Sequence, residues 1–144
     1  MGVGGKVSNQ AAGYSGTPLA KKLGFKPGFK IKLVNAPANY FELFTDLPGD
    51  LDFGDAQGAK KDLIHLFTKQ QDEFLDALPS LKEQIKPNGS IWVSWPKKAP
   101  KIVTDITEDT IRDYALKIGL VDIKVCAVDD TWSGLKLVIP VKDR

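Results

Sequence analysis

The stretch VDIKVCAVDDTWSGLKLVIPV, residues 121–141, decides the fold. It holds two apolar runs, 121–128 and 135–141, separated by DDTWSG. A parallel pair of strands needs a crossover of a dozen or more residues, so a six-residue link makes the two runs antiparallel neighbours. Just upstream, Thr107 is placed to cap a helix whose first turn carries Glu108 and Asp109, where negative charge meets the positive end of the helix dipole. Its apolar face is Ile111, Tyr114, Ala115 and Ile118, and Gly119 ends it.

Further back, SIWVSW (90–95) reads as a strand entered through the turn residues Pro87, Asn88 and Gly89, and left through a basic, proline-containing loop at 97–101. The helix before it, 70–85, places Phe74, Leu75, Leu78, Leu81 and Ile85 on one face. Pro79 inside it predicts a kink or a fresh start near Ser80. DLIHLF (62–67) is the short apolar run of a strand buried on both faces. Before that come a weak strand at 51–53, a short helix at 38–45 and a first strand at 31–34. Thr17 and Pro18 open a helix that Gly24 stops. Residues 1–16 are glycine-rich without hydrophobic period and are expected to form a flexible arm. Gly4, Gly5 and Lys6 are not a phosphate loop, because Val7 follows the lysine where Ser or Thr is needed. Strands alternating with helices and closing on a hairpin predict a three-layer α/β domain over 17–144, its sheet mostly parallel.

Composition agrees. The chain has 144 residues, 42% hydrophobic and 26% charged, enough for a core in one domain without disulfides or metal. Its one cysteine, Cys126, and one histidine, His65, lie 61 positions apart, so no metal site is readable. No apolar run approaches the roughly 20 residues that span a bilayer, and 1–16 has no signal-type apolar segment, so no membrane contact and a cytoplasmic location are expected. Charge is uneven. Residues 1–40 carry six lysines and no acid, whereas the remainder carries 14 bases and 18 acids. Either these lysines are a solvated helix face and strand edge, or they meet an anionic partner.

The hairpin, DLIHLF and SIWVSW together resemble the second half of the class I methyltransferase fold, a Rossmann-like sheet whose last strand runs backwards. That resemblance implies the order second, first, third, fourth, sixth, fifth strand. YSGTPLAKKLG (14–24), SWPKK (94–98) and VDDTWSGLK (128–136) resemble a bacterial protein family known as a domain of unknown function, and this second resemblance implies no activity. Methyltransferases and dinucleotide enzymes place glycines after the first strand, where backbone must approach the cofactor. Here the turn is LVNAPANY (33–40), with no glycine, and Pro37 removes an amide. The departure argues against S-adenosylmethionine and nicotinamide, and no cofactor is expected. Asp52 and Asp55 stand where such folds keep a carboxylate for a ribose, although loop solvation explains them as well.

In open α/β sheets, ligands sit outside the carboxyl ends of the strands. That rule selects Asn35 after the first strand, Thr68 after DLIHLF, Trp95, Lys97 and Lys98 after SIWVSW, and Asp129, Thr131 and Trp132 in the hairpin turn. Lysine as point charge and tryptophan as stacking face suit a small anionic or aromatic ligand. His65, inside a buried strand, reads as a satisfied core histidine, and Cys126 as a structural thiol. Three functions compete. The first is a degenerate, non-catalytic module binding such a ligand at that edge. The second is a small enzyme with a divergent site there, its Trp95–Lys98 loop facing Trp132. The third is nucleic-acid or acidic-partner binding through the basic N-terminal segment, against which the acidic remainder and the missing binding motif weigh. Nothing in the sequence fixes an oligomeric state.

Overall fold

The computed structural model describes residues 17–54, 58–98 and 102–144. The expected arm 1–16, Asp55 and residues 99–101 of the basic loop lie outside the described residues. An interior strand of the sheet is β2 (Lys61–Phe67), whose near-continuous burial is what the DLIHLF run predicts. It runs parallel to β1 (Ile31–Val34) on one side and β3 (Ile85–Pro96) on the other. β3 pairs antiparallel with β5 (Trp132–Val138), and β5 with the edge strand β4 (Val121–Ala127). The order β1-β2-β3-β5-β4 is the expected one, apart from the strand at 51–53. That segment contracts to a single parallel bridge, Lys30 to Asp52, beside β1. The Asp52 side chain accepts from Gly54 N at 2.7 Å and turns the chain before a ladder can grow.

β3 begins earlier than its sequence suggests. Pairing with β2 jumps from Ile85 to Ser90, so the Pro87-Asn88-Gly89 turn is a bulge inside the strand rather than its entrance. Gly89 permits this, since a Cβ there would meet the carbonyl oxygen of Lys61 at 3.0 Å.

Register assigns the side chains to two faces. Ile64 opposite Ile91 and Leu66 opposite Val93 join Leu135 and Leu137 beneath α2 (Gln71–Gln84) and α3 (Glu108–Lys117). Phe74, Leu78 and Leu81 of α2 and Ile111 and Ala115 of α3 complete that core. α2 runs continuously through Pro79, so no fresh helix starts near Ser80. Proline deprives the carbonyl four residues earlier of its donor. That carbonyl, Leu75 O, accepts instead from the Tyr114 hydroxyl of α3 at 3.3 Å. Thr107 caps α3 as predicted, its side chain accepting from Thr110 N.

On the other face, His65 opposite Trp92 and Phe67 opposite Ser94 lie under α1 (Leu19–Leu23) and a 3-10 turn, Tyr40–Leu43. The 3-10 turn is all that forms of the helix expected at 38–45. α1 starts one residue later than expected, with Pro18 as N-cap and no side-chain cap, and ends at Gly24 with φ of 86°. It is docked by its last carbonyl: Trp92 Nε1 donates to Leu23 O at 2.8 Å.

Candidate functional site

Tyr40 and Asn35 follow β1, Phe67 ends β2, Val128 follows β4 and Trp132 begins β5, so all five belong to the carboxyl edge of the parallel strands. Four of them, Tyr40, Phe67, Val128 and Trp132, form one buried cluster. Tyr40 meets Phe67 edge-on at 5.7 Å between ring centroids, and Phe67 meets Trp132 edge-on at 5.0 Å. Aromatic pairs favour these geometries. Beneath them runs a buried polar chain: the Tyr40 hydroxyl bonds His65 Nδ1 at 3.0 Å, and His65 Nε2 bonds Ser94 Oγ at 2.8 Å. A neutral imidazole offers one donor and one acceptor, and both hydroxyls can take either role. His65 is fully buried, which lowers its pKa from 6.5 to about 3 and keeps the ring neutral. Burial likewise raises the Tyr40 hydroxyl pKa. His65 is thus the satisfied core histidine expected, and Ser94, also fully buried, has no access to a substrate.

The sequence-selected residues play several different parts. Asn35 is exposed and holds φ at 59°, a left-handed conformation that asparagine tolerates better than most side chains. Thr68 is committed to the start of α2: its Oγ1 donates toward Gln70 O and Glu73 Oε1 and accepts from Gln70 N. Asp129 is committed to the hairpin turn, its Oδ1 accepting from Thr131 N and Trp132 N at 2.8 Å each. Lys97 is half-buried and donates its backbone N–H to Thr131 O at 2.8 Å, which ties the loop after β3 to the turn. Lys98 is exposed. Trp95 and Trp132 do not face each other. Trp95 belongs to the aliphatic core beneath α2 and α3, and Trp132 to the aromatic cluster on the opposite face, because residues adjacent along a strand alternate sides.

Sequence reasoning passed over two features of this edge. One is Tyr40, whose position in the loop after β1 gave no sign that its ring would fold back. The other is Asp105, whose Oδ1 accepts from Gln71 N at 2.7 Å while Thr104 Oγ1 donates to Lys69 O at 2.7 Å. The chain's own carboxylate thereby occupies the free N–H end of α2, where this fold offers an anion a seat. The TDIT stretch (104–107), acid between hydroxyls, carried that signal.

The architecture and this edge define a methyltransferase-like fold. Over 84% of this chain and 88% of the other, it superposes on a SAM dependent methyltransferase from Aquifex aeolicus with a TM-score of 0.56 at 12% identity. A ribosomal protein L11 methylase from Lactobacillus delbrueckii subsp. bulgaricus matches over 84% of this chain and 74% of that one, with a TM-score of 0.54 at 13% identity. A protein in the NADB-Rossmann superfamily from Streptococcus agalactiae matches over 90% and 71%, with a TM-score of 0.52 at 11% identity. No curated protein matches the sequence. The chain belongs to the family described as "Protein of unknown function (DUF3052)", whose pattern matches residues 45–141. Among the described residues no helix is long and apolar enough to cross a membrane.

Proposed function

We propose that this chain is a non-catalytic, degenerate methyltransferase-like module whose own side chains fill the crevice that a nucleoside cofactor would need. The observation that carries this reading is the burial of Tyr40 and Phe67, at 2% and 1% exposure, against Trp132 at the carboxyl edge. Three further features support it. The turn after β1 offers a proline in place of an amide and a left-handed Asn35 in place of glycine. Asp52, the acid placed for a ribose, is engaged with Gly54 N. Asp105 holds the N-terminus of α2. These residues do not fit a nucleoside cofactor.

Asn35, Lys97 and Lys98 keep exposed surface at the rim. They are the groups through which the module would take a small anionic ligand at that edge. Calorimetric titration with S-adenosylmethionine, NAD and ATP tests the reading. No binding tighter than millimolar is expected from any of them at this crevice, and micromolar S-adenosylmethionine affinity overturns the proposal.

A further inference from the structure

The described lysines of residues 17–40 do not form one surface. Lys32 donates to Gln84 Oε1 of α2 at 2.6 Å. Lys22 instead lies against the C-terminal hairpin, to which β4 and β5 contribute Lys124 and Lys136, and the charge of Lys26 acts on Lys136 there. Lys124 and Lys136 are direct cross-strand partners. Like charges at opposed positions destabilise a sheet, and here more positive charge surrounds them. Lys124 Nζ donates to Lys22 O at 3.0 Å, and Lys22 Nζ to Ala127 O at 3.2 Å. Lys136 is half-buried and reaches the end of α1, where its Nζ would lie 3.3 Å from a Cβ on Gly24. Burial, then Lys124 and Lys26, hold its pKa below the ordinary lysine value. No carboxylate of the described residues forms an ion pair with Lys26, Lys124 or Lys136.

We propose that Lys26, Lys124 and Lys136 form a binding site for a phosphoryl dianion on the α1 side of the hairpin. A dianion among three ammonium groups converts their mutual repulsion into attraction, and the partly desolvated position of Lys136 strengthens that attraction. Lysines recognise phosphate as point charges on flexible stems, which suits a site with little directional geometry. Lys124 retains two N–H donors beyond the one given to Lys22 O. Lys124 caps the last turn of α1 at Lys22 O, but that bond does not account for the placement of Lys136 beside it. The site lies mid-strand rather than at the carboxyl edge, so it stands or falls independently of the crevice.

The test is calorimetric titration of the full chain with inorganic pyrophosphate at low ionic strength. Saturable one-to-one binding is expected, weakened at least tenfold (~1.4 kcal/mol) in the K124Q/K136Q double variant and falling as salt rises. The unliganded double variant is expected to melt at the same temperature as the parent or higher, because a repulsive pair is gone. Lys26→Gln, at an exposed position, gives a second readout: weaker binding with unchanged melting. Absence of saturable binding, unchanged affinity in both variants, or a double variant that melts clearly lower overturns the site. A short single-stranded oligonucleotide run in parallel distinguishes sources. Affinity well above that of pyrophosphate identifies a nucleic-acid backbone as the phosphate donor group, and equal or lower affinity identifies a small phosphate ester; either result supports the site.

Discussion

The two faces of the sheet are built from different chemistries. Beneath α2 and α3 the buried groups are almost all aliphatic, with Ile64, Leu66, Ile91, Val93, Leu135 and Leu137 from the strands. Beneath α1 and the 3-10 turn the strands present His65, Phe67, Trp92 and Ser94, closed over by Tyr40 and Trp132 and joined by directional hydrogen bonds. Aliphatic packing tolerates swaps that conserve volume, whereas hydrogen-bonded aromatic packing also fixes orientation. One face is therefore a generic support for the fold. The other has been specialised, and its specialisation fills the edge where ligands of this fold class sit.

The largest effects should come from cutting into each face. Trp92→Ala should cost about 4 kcal/mol, from the cavity and the lost bond to Leu23 O, and Leu78→Ala on the aliphatic side about 3 kcal/mol. The conservative pair sharpens the contrast. Leu78→Met should cost under about 1.5 kcal/mol. Trp92→Phe should cost more than that, because it strands a buried carbonyl as well as shrinking the ring. Urea midpoints measure all four, and equal costs for the two conservative changes would break the distinction between the faces.

A middle-sized effect follows from the polar chain on the specialised face. His65 is neutral when folded, with a pKa of about 3, and takes up a proton near 6.5 when unfolded. The unfolded state therefore binds more protons between these values. Its contribution to stability is complete above about pH 6.5 and is lost as pH falls toward 3, at up to about 1.4 kcal/mol per pH unit. Chemical denaturation across that range should show the slope, and His65→Gln should flatten it. Tyr40→Phe should cost about 2 kcal/mol at neutral pH by leaving His65 Nδ1 unpaired.

The same contrast explains what the sequence revealed. The aliphatic face obeys periodicity: Phe74, Leu78 and Leu81 are spaced for one side of a helix, DLIHLF and SIWVSW are apolar runs, and the six-residue link forced the hairpin. The strand order came from the resemblance to the methyltransferase fold, and β1-β2-β3-β5-β4 agrees with it apart from 51–53. The specialised face depends on contacts remote in sequence that no local pattern announces: Tyr40 with His65, Ser94 with His65, Lys124 with Lys22. Trp95 and Trp132 looked like partners because strand ends place residues along an edge without showing on which side of the sheet each falls. The survival of α2 through Pro79 was hidden for a similar reason, since the donor that replaces the missing amide belongs to Tyr114 of another helix.

The smallest effect falls at the point where the two accounts of the crevice separate. Asn35 holds φ at 59° at the turn after β1, where glycine would be unstrained. Asn35→Ala should cost about 1 kcal/mol, and Asn35→Gly should change stability by no more than a few tenths. The glycine variant restores the residue type that the cofactor turn lacks, while leaving Tyr40, Phe67 and Trp132 in place. If the filled aromatic cluster is what excludes a nucleoside, Asn35→Gly should still fail to bind S-adenosylmethionine in calorimetry. Micromolar binding gained from that one substitution would place the barrier in a single backbone position, and the specialised face would then be ordinary packing beside an otherwise intact cofactor crevice.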